Sequence, residues 1–395
     1  MFRGRVWLKA TLLAASSLTV MAGATISPSL PQIQDHFIAV PNAEFLSKLI
    51  LTIPGLIIAL VAPLSGLIID RYGRKKVLIF SLILYGISGF AGFYLSNLTL
   101  LLVSRAILGL SVAGTMTTTT TLVGDYFTGY NRRAFLGYQG SFMALGGVVF
   151  ILMGGYLADF NWRYPFLIYT ASFLILPGAI WILYEPLVKR TEKVLDSDIF
   201  FSKRWVFYNY VLSLITMLIF YMIPVYIPFL LNTYEGISNF KVGLSISAST
   251  FCGAVTSFQY KRIKQYLNFF QIYGIVFLFM GTGYSIIALS GSYAGVISGL
   301  VLNGLGFGLF MPNNNLVLLN LAPEDFRGRI LGGVSTFTFI GQFLSPVVFE
   351  PLRRYLGNIP QGFLWVSMAL LFLFILMMSL NRMLNRKLLA SFINE

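Results

Sequence analysis

Runs of about twenty apolar residues recur along the chain, each separated from the next by a polar turn. They fall at 10–34, 45–69, 77–95, 98–124, 134–158, 163–184, 205–231, 241–260, 269–290, 293–321, 329–352 and 361–381. An α-helix of ~20 residues spans the ~30 Å hydrocarbon core of a bilayer. Backbone in lipid has to satisfy its own hydrogen bonds, and a helix does so within one segment. The pattern predicts an all-α integral membrane protein with twelve transmembrane helices. The longest polar break, 186–203, holds Lys189, Arg190, Glu192, Lys193, Asp196 and Asp198 and lies near the middle of the chain. The expected organisation is a six-helix bundle at 1–187, a cytoplasmic linker at 188–203 and a second six-helix bundle at 204–395.

Composition agrees. Of the 395 residues, 57% are hydrophobic and 11% charged, against ~25% charged in soluble domains. The net charge of +14 would suggest nucleic acid in a soluble protein. The placement of the charges argues otherwise. With the N-terminus inside, 22 of the 28 Lys and Arg fall on inner segments, at 3–9, 71–76, 132–133, 189–204, 261–264, 327–329 and 382–387. Outer segments hold Lys48, Arg163, Lys241, Arg353 and Arg354, and Arg105 lies within a span. This bias is the positive-inside rule, and it places both termini in the cytoplasm. The basic residues then face anionic lipid, and no nucleic acid partner is expected. The basic N-terminal stretch leads into an uncleaved first span. One cysteine, Cys252, and one histidine, His36, leave no disulfide and no Cys/His metal cluster. No cofactor is expected.

An internal repeat supports two halves. A shift of 195 residues is the difference between Gly109-Leu110 and Gly304-Leu305, Met116 and Met311, and Arg132, Leu136, Gly137 and Arg327, Leu331, Gly332. The same shift lays Thr118–Thr120 on Asn313–Asn315. Span four thus matches span ten, and span five matches span eleven. Such pseudo-symmetric bundles are a common way to build a transporter with a central site.

The sharpest motif is Gly66-Leu67-Ile68-Ile69-Asp70-Arg71-Tyr72-Gly73-Arg74-Lys75-Lys76, joining spans two and three. Its glycines permit close approach and a tight turn, and Asp70 sits among four cations where a carboxylate accepts charge-assisted hydrogen bonds. Arg105 and Gly109 lie in span four, Trp162-Arg163 opens span six, and Gly137, Gly146, Gly154 and Gly155 line span five. These segments resemble the major facilitator superfamily, with its loop motif in register, and in span five the drug/metabolite:proton antiporter branch. That branch has a Gly-Pro at the centre of its span-five motif; Phe150-Ile151 stand there instead, and Leu108 replaces a frequent Gln. The resemblance implies a conformational latch of Asp70, Arg71, Arg74 and Asp125, in which the loop arginine bridges carboxylates at the ends of spans two and four. It also implies proton coupling.

Polar residues inside spans are expensive and mark candidate sites. Arg105 lies about seven residues from the outer end of span four, ~10 Å deep. It reads either as a substrate or coupling contact or as a structural cap on carbonyls or on polar groups of span one. Asn303, Asn313, Asn314, Gln139, Gln342, Tyr221 and Tyr226 are further candidate cavity residues, set against the alternative of helix-packing contacts. Pro28 and Pro31 in span one, and Pro224 and Pro228 in span seven, mark irregular helix ends that suit gates. All fourteen carboxylates fall at span ends or in loops. Asp35 is the candidate proton site, with Glu350 the other near an outer end.

The expected function is secondary active transport of a small solute by alternating access, in the form of a proton-coupled exporter of drug-like or metabolite compounds. The alternative is a uniporter or importer. A membrane enzyme is disfavoured: no Gly-x-x-x-x-Gly-Lys loop, His/Asp metal cluster or Ser-His pair is evident. A sensor is disfavoured because no soluble domain is expected at either end. The expected setting is a multi-pass monomer in a bacterial inner membrane, in contact with lipid.

Overall fold

A computed structural model of the chain describes residues 2–186, 203–322 and 326–393. The linker expected at 188–203 falls almost wholly outside those residues, as do Glu324 and Asp325. Each of the twelve predicted spans lies on helix. Span one is α1 (Phe2–Ala24), a 3-10 turn at Ser27–Ser29 and α2 (Leu30–His36). Then follow α3 (Ala43–Tyr72), α4 (Arg74–Ala91), α5 (Leu98–Tyr126) and α6 (Gly129–Phe160). Span six is a 3-10 stretch at Tyr164–Thr170 continued by α7 (Ala171–Trp181), and span seven is α8 (Lys203–Phe220) with α9 (Met222–Asn232). The chain continues with α10 (Asn239–Tyr266), α11 (Phe269–Leu289), α12 (Tyr293–Leu321), α13 (Arg327–Leu356) and α14 (Ile359–Ile393).

Among the described residues, ten segments are long and apolar enough to cross a membrane. The predicted spans outside that set are α4 and α10. The first has 18 residues and opens on Arg74, Lys75 and Lys76; the second ends in Lys261, Arg262 and Lys264 and is rich in Ser, Thr and Gly.

Local chemistry sets the element ends. Asn97 accepts from the backbone N–H of Thr99 (2.9 Å) and Leu100 (3.2 Å) to start α5. Asn268 and Gln271 form a reciprocal capping box at the start of α11. Pro28 lies in the 3-10 turn and Pro31 in the first turn of α2, where a missing N–H costs least. The span-five helix α6 runs through Phe150-Ile151 as one 32-residue element.

Packing divides the chain into two compact units. One comprises Met1–Ser247 with Gly332–Val348, the other Ala248–Leu331 with Phe349–Glu395. In the first, α3 and α4 pack on α5, and α1 packs on α6. In the second, α11 packs against both α12 and α14. Small residues let backbones approach: a Cβ at Gly109 would stand 2.7 Å from the Pro54 carbonyl oxygen, and one at Gly306 2.9 Å from that of Val276.

Candidate functional site

Within the first unit, the turn between α3 and α4 gathers most of the predicted latch. Arg74 Nε donates to Asp125 Oδ2 at 3.0 Å, and its Nη2 lies 3.5 Å from Asp70 Oδ1. The arginine is nearly buried and Asp70 is well exposed, so the Asp125 bond is the stronger contact. Arg71 lies over the Tyr72 ring, 5.5 Å from its centroid. A fifth participant has no place in the latch expected from sequence: Glu185 accepts from the backbone N–H of Arg74 (2.6 Å) and of Lys75 (2.9 Å). A carboxylate there satisfies orphan donors at the start of α4 and faces the positive end of the helix dipole. Gly73 makes this geometry possible. Its φ is +92°, and a Cβ would sit 3.0 Å from the Glu185 carboxylate.

Arg105 is fully buried. Its Nη2 donates to the carbonyls of Ser88 (2.9 Å) and Gly89 (2.8 Å), in the last turn of α4. The guanidinium carbon stands 5.0 Å from the ring centroids of both Phe166 and Tyr169. A single guanidinium nitrogen thus caps a helix end, while Nη1 is buried without a hydrogen-bond partner among the described residues; the carbonyls belong to span three, not to span one.

The two proline-marked irregularities meet. Ser27 Oγ donates to the carbonyl of Pro224, and Tyr221 Oη donates to that of Gly23 at 2.6 Å. Both bonds lie inside the first unit: Gly23 is in the last turn of α1, and the Pro224 carbonyl, inside α9, is freed because Pro228 has no N–H to offer it. Nearby α3 supplies Lys48, read from sequence as an outer-segment charge at the start of span two. The structure places it in the helix, 1% exposed, with Glu44 Oε1 at 3.4 Å. The Tyr226 and Phe229 ring centroids lie at 5.0 and 5.1 Å from its ammonium. Gln342 is buried against Gly55, where a Cβ would lie 3.2 Å from its Cδ. Gln139 is buried too and donates to Ser16 Oγ at 2.8 Å. Asp35 lies exposed in α2, and His36 packs on Phe37 and Trp162.

In the second unit, each asparagine of the polar run at 313–314 is engaged by a tyrosine. Tyr260 donates to Asn313 Oδ1 at 3.1 Å, and Tyr273 to Asn314 Oδ1 at 3.0 Å. Asn303 Nδ2 returns to its own helix at Gly299 (3.0 Å), while its Oδ1 is buried without a hydrogen-bond partner among the described residues. Thr115, Thr119, Thr120 and Thr121 bond to carbonyls of their own helix. Glu350 is 2% exposed and pairs with Arg353 (2.6 Å) and Arg354 (3.3 Å).

Known proteins carry the same architecture. The profile described as Major Facilitator Superfamily matches residues 12–346. The "Bacillibactin exporter" of Bacillus subtilis is 24% identical over 372 residues, covering 86% of this chain and 89% of that protein. "Multidrug resistance protein 1" of the same organism is 25% identical, with 79% and 81% covered. The "Quinolone resistance protein NorA" of Staphylococcus aureus is 23% identical, with 73% and 76% covered. A D-xylose–proton symporter structure superposes with a TM-score of 0.75 at 15% identity, covering 94% of this chain and 97% of its own. A bacterial homologue of the lysosomal transporter Spinster gives 0.74 at 16%, with 97% of each chain covered.

Proposed function

The chain belongs to the Major Facilitator Superfamily and is a multi-pass membrane transporter of small molecules, not an enzyme; from that premise we propose that it is a proton-coupled exporter of drug-like or metabolite solutes. Its setting is the inner membrane of a bacterium, as a monomer in contact with lipid, with both termini cytoplasmic. Its two repeats are the six-helix halves 1–187 and 204–395. Alternating access consists of opening each side of the carrier to the solute in turn; the candidate solute contacts are Gln139, Gln342, Tyr221 and Tyr226 in the first unit and Asn303, Asn313 and Asn314 in the second.

The observation that carries the reading is the junction of helix breaks. Two segments from different halves of the sequence are joined through freed backbone carbonyls at Gly23 and Pro224. Such bonds can part and rejoin without unravelling a regular helix. Under the proposed orientation this junction lies towards the outer side, and the Arg74–Asp125 contact lies on the cytoplasmic side. An inner latch of ~1–3 kcal/mol would shift a two-state equilibrium roughly 5- to 150-fold. Relatives named for bacillibactin export, multidrug resistance and quinolone resistance make amphipathic solutes the first to try.

A second reading, facilitated diffusion without a coupling ion, is favoured by Glu350: among the described carboxylates it is buried, and it is neutralised by Arg353 and Arg354. A proton carrier usually uses a desolvated acid. Purified protein in proteoliposomes separates the readings, with a quinolone, bacillibactin and a lipophilic dye as solutes. Export coupling predicts movement against the solute gradient when an inward proton gradient is imposed. Movement only down the solute gradient, unaffected by the proton gradient, would leave the uniporter.

A further inference from the structure

Neither the motif turn nor the Arg105 site explains why a lysine is buried in α3. Lys48 is 1% exposed, and taking an ammonium ion out of water is costly. Here it is held by Glu44 at 3.4 Å and by two ring faces of α9, Tyr226 and Phe229, 5.0 and 5.1 Å away. Through Ser27, bonded to Pro224 of α9, and Pro28, 3.6 Å from where a Cβ on Gly243 would stand, this contact continues into a seam between α6 and α10 inside the first unit that is closed by shape. A Cβ at Gly155 would lie 2.6 Å from the Asn239 carbonyl oxygen, and one at Gly243 2.9 Å from that of Ile151. Ser247 Oγ donates to the Val148 carbonyl at 3.2 Å. A second charge also joins the seam. Asp159, at the end of α6, accepts from the first N–H groups of α10, Asn239 (2.6 Å) and Phe240 (3.2 Å). Asn239 Nδ2 returns a bond to the Ala158 carbonyl at 3.1 Å.

The two charges act in opposite directions. Asp159 gains from closure, because the donors it accepts from are orphaned otherwise and sit at the positive end of a helix dipole. Lys48 gains from opening. When α9 leaves, the ammonium recovers hydration, whereas an apolar side chain of similar length would be exposed to water. We propose that Lys48 is the residue that makes this seam openable, a water-seeking charge built into an apolar closure, with Asp159 as the cap that opposes it. The proposal rests on the alternating-access reading above. It assigns Lys48 to the transport cycle rather than to the substrate.

The test uses full-length protein carrying Cys252→Ser and a reporter, Ser27→Cys, in oriented membrane vesicles. Ser27 is buried and bonded to Pro224 of α9, so its labelling by an impermeant maleimide reads the seam. Lys48→Met is expected to slow labelling from the outer side by about fivefold or more, and Asp159→Ala to speed it about fivefold. Lys48→Arg, which keeps the charge, is expected to stay within about twofold of the parent. Lys48→Gln, with partial polarity, should fall between Met and the parent, and it carries the test if Lys48→Met does not give a monodisperse folded peak. Labelling of the Met or Gln variant as fast as the parent overturns the proposal. Reporter labelling only from the side of the chain termini would instead contradict the orientation, and the order of the variants on that side would still decide the role of Lys48.

Discussion

Replacing Arg105 by leucine removes the contact that closes the end of α4. The guanidinium makes two hydrogen bonds to carbonyls, at 2.9 and 2.8 Å. Hydrogen bonds from a charged donor contribute ~1.5–3 kcal/mol each, and deleting one partner also leaves buried acceptors unsatisfied. The ring contacts with Phe166 and Tyr169 add ~0.5–2 kcal/mol. Against this, leucine removes a buried charge and its desolvation cost. The contacts share one group and do not add independently, so the net expected loss is ~3–5 kcal/mol. Lysine keeps the charge, and its ammonium can donate to both carbonyls, but it lacks the planar face that lies over the two rings. Its expected loss is about half that of leucine. The assay is thermal unfolding in detergent, followed by the monodisperse fraction on size exclusion, alongside solute flux in proteoliposomes. Arg105→Leu is expected to melt well below the parent, with Arg105→Lys between. A parental melting point with flux abolished would refute the capping argument and make Arg105 a substrate or coupling contact.

Other perturbations follow from the same contacts. Asp125→Asn should slow flux more than Asp70→Asn, because Asp125 is the closer and less exposed partner of Arg74; equal initial rates for both variants and the parent would remove the latch. Glu185→Gln should slow flux as well while leaving insertion intact, since it uncharges the cap on Arg74 and Lys75 backbone N–H groups. Gly155→Leu should prevent the seam from closing, because its Cβ would lie 2.6 Å from a backbone oxygen; a Ser27→Cys reporter would then be labelled from outside at a rate that solute no longer changes. A double-mutant cycle on Tyr273→Phe and Asn314→Leu should give a coupling of ~1 kcal/mol in unfolding, and zero coupling would show that the 3.0 Å bond contributes nothing.

The helices were legible because lipid leaves the backbone few alternatives, so span length and polar turns print directly into the sequence. Even α4, which opens on three cations, and α10, rich in Ser, Thr and Gly, were located by the turns on either side. The proline pairs at 28 and 31 and at 224 and 228 were legible as breaks. That they meet was not, because the Ser27–Pro224 bond joins residues 197 apart and no local pattern encodes such a pairing. Lys48 was legible as a charge near the outer end of span two, but its burial was not, for a physical reason. A lone lysine near a span end ordinarily marks the interface, and the aromatic pair that permits its burial sits on a helix from the other half of the chain. Glu185 and Asp159 read as loop acids because capping a distant helix leaves no local trace. The threonine run and the asparagines were found by their polarity. Their tyrosine and carbonyl partners decide how much of that polarity remains for a solute, and only the fold supplies those partners.

The claim on which the account depends is reciprocal access, and two single-cysteine reporters in a Cys252→Ser background test it most directly. One sits at the helix-break junction (Ser27→Cys), the other in the turn between α5 and α6 (Thr128→Cys). Each is labelled from its own side while solute and proton gradient are varied. The account predicts that every condition which speeds labelling of one slows the other. Rates that rise and fall together, or that no solute and no gradient changes, would contradict it.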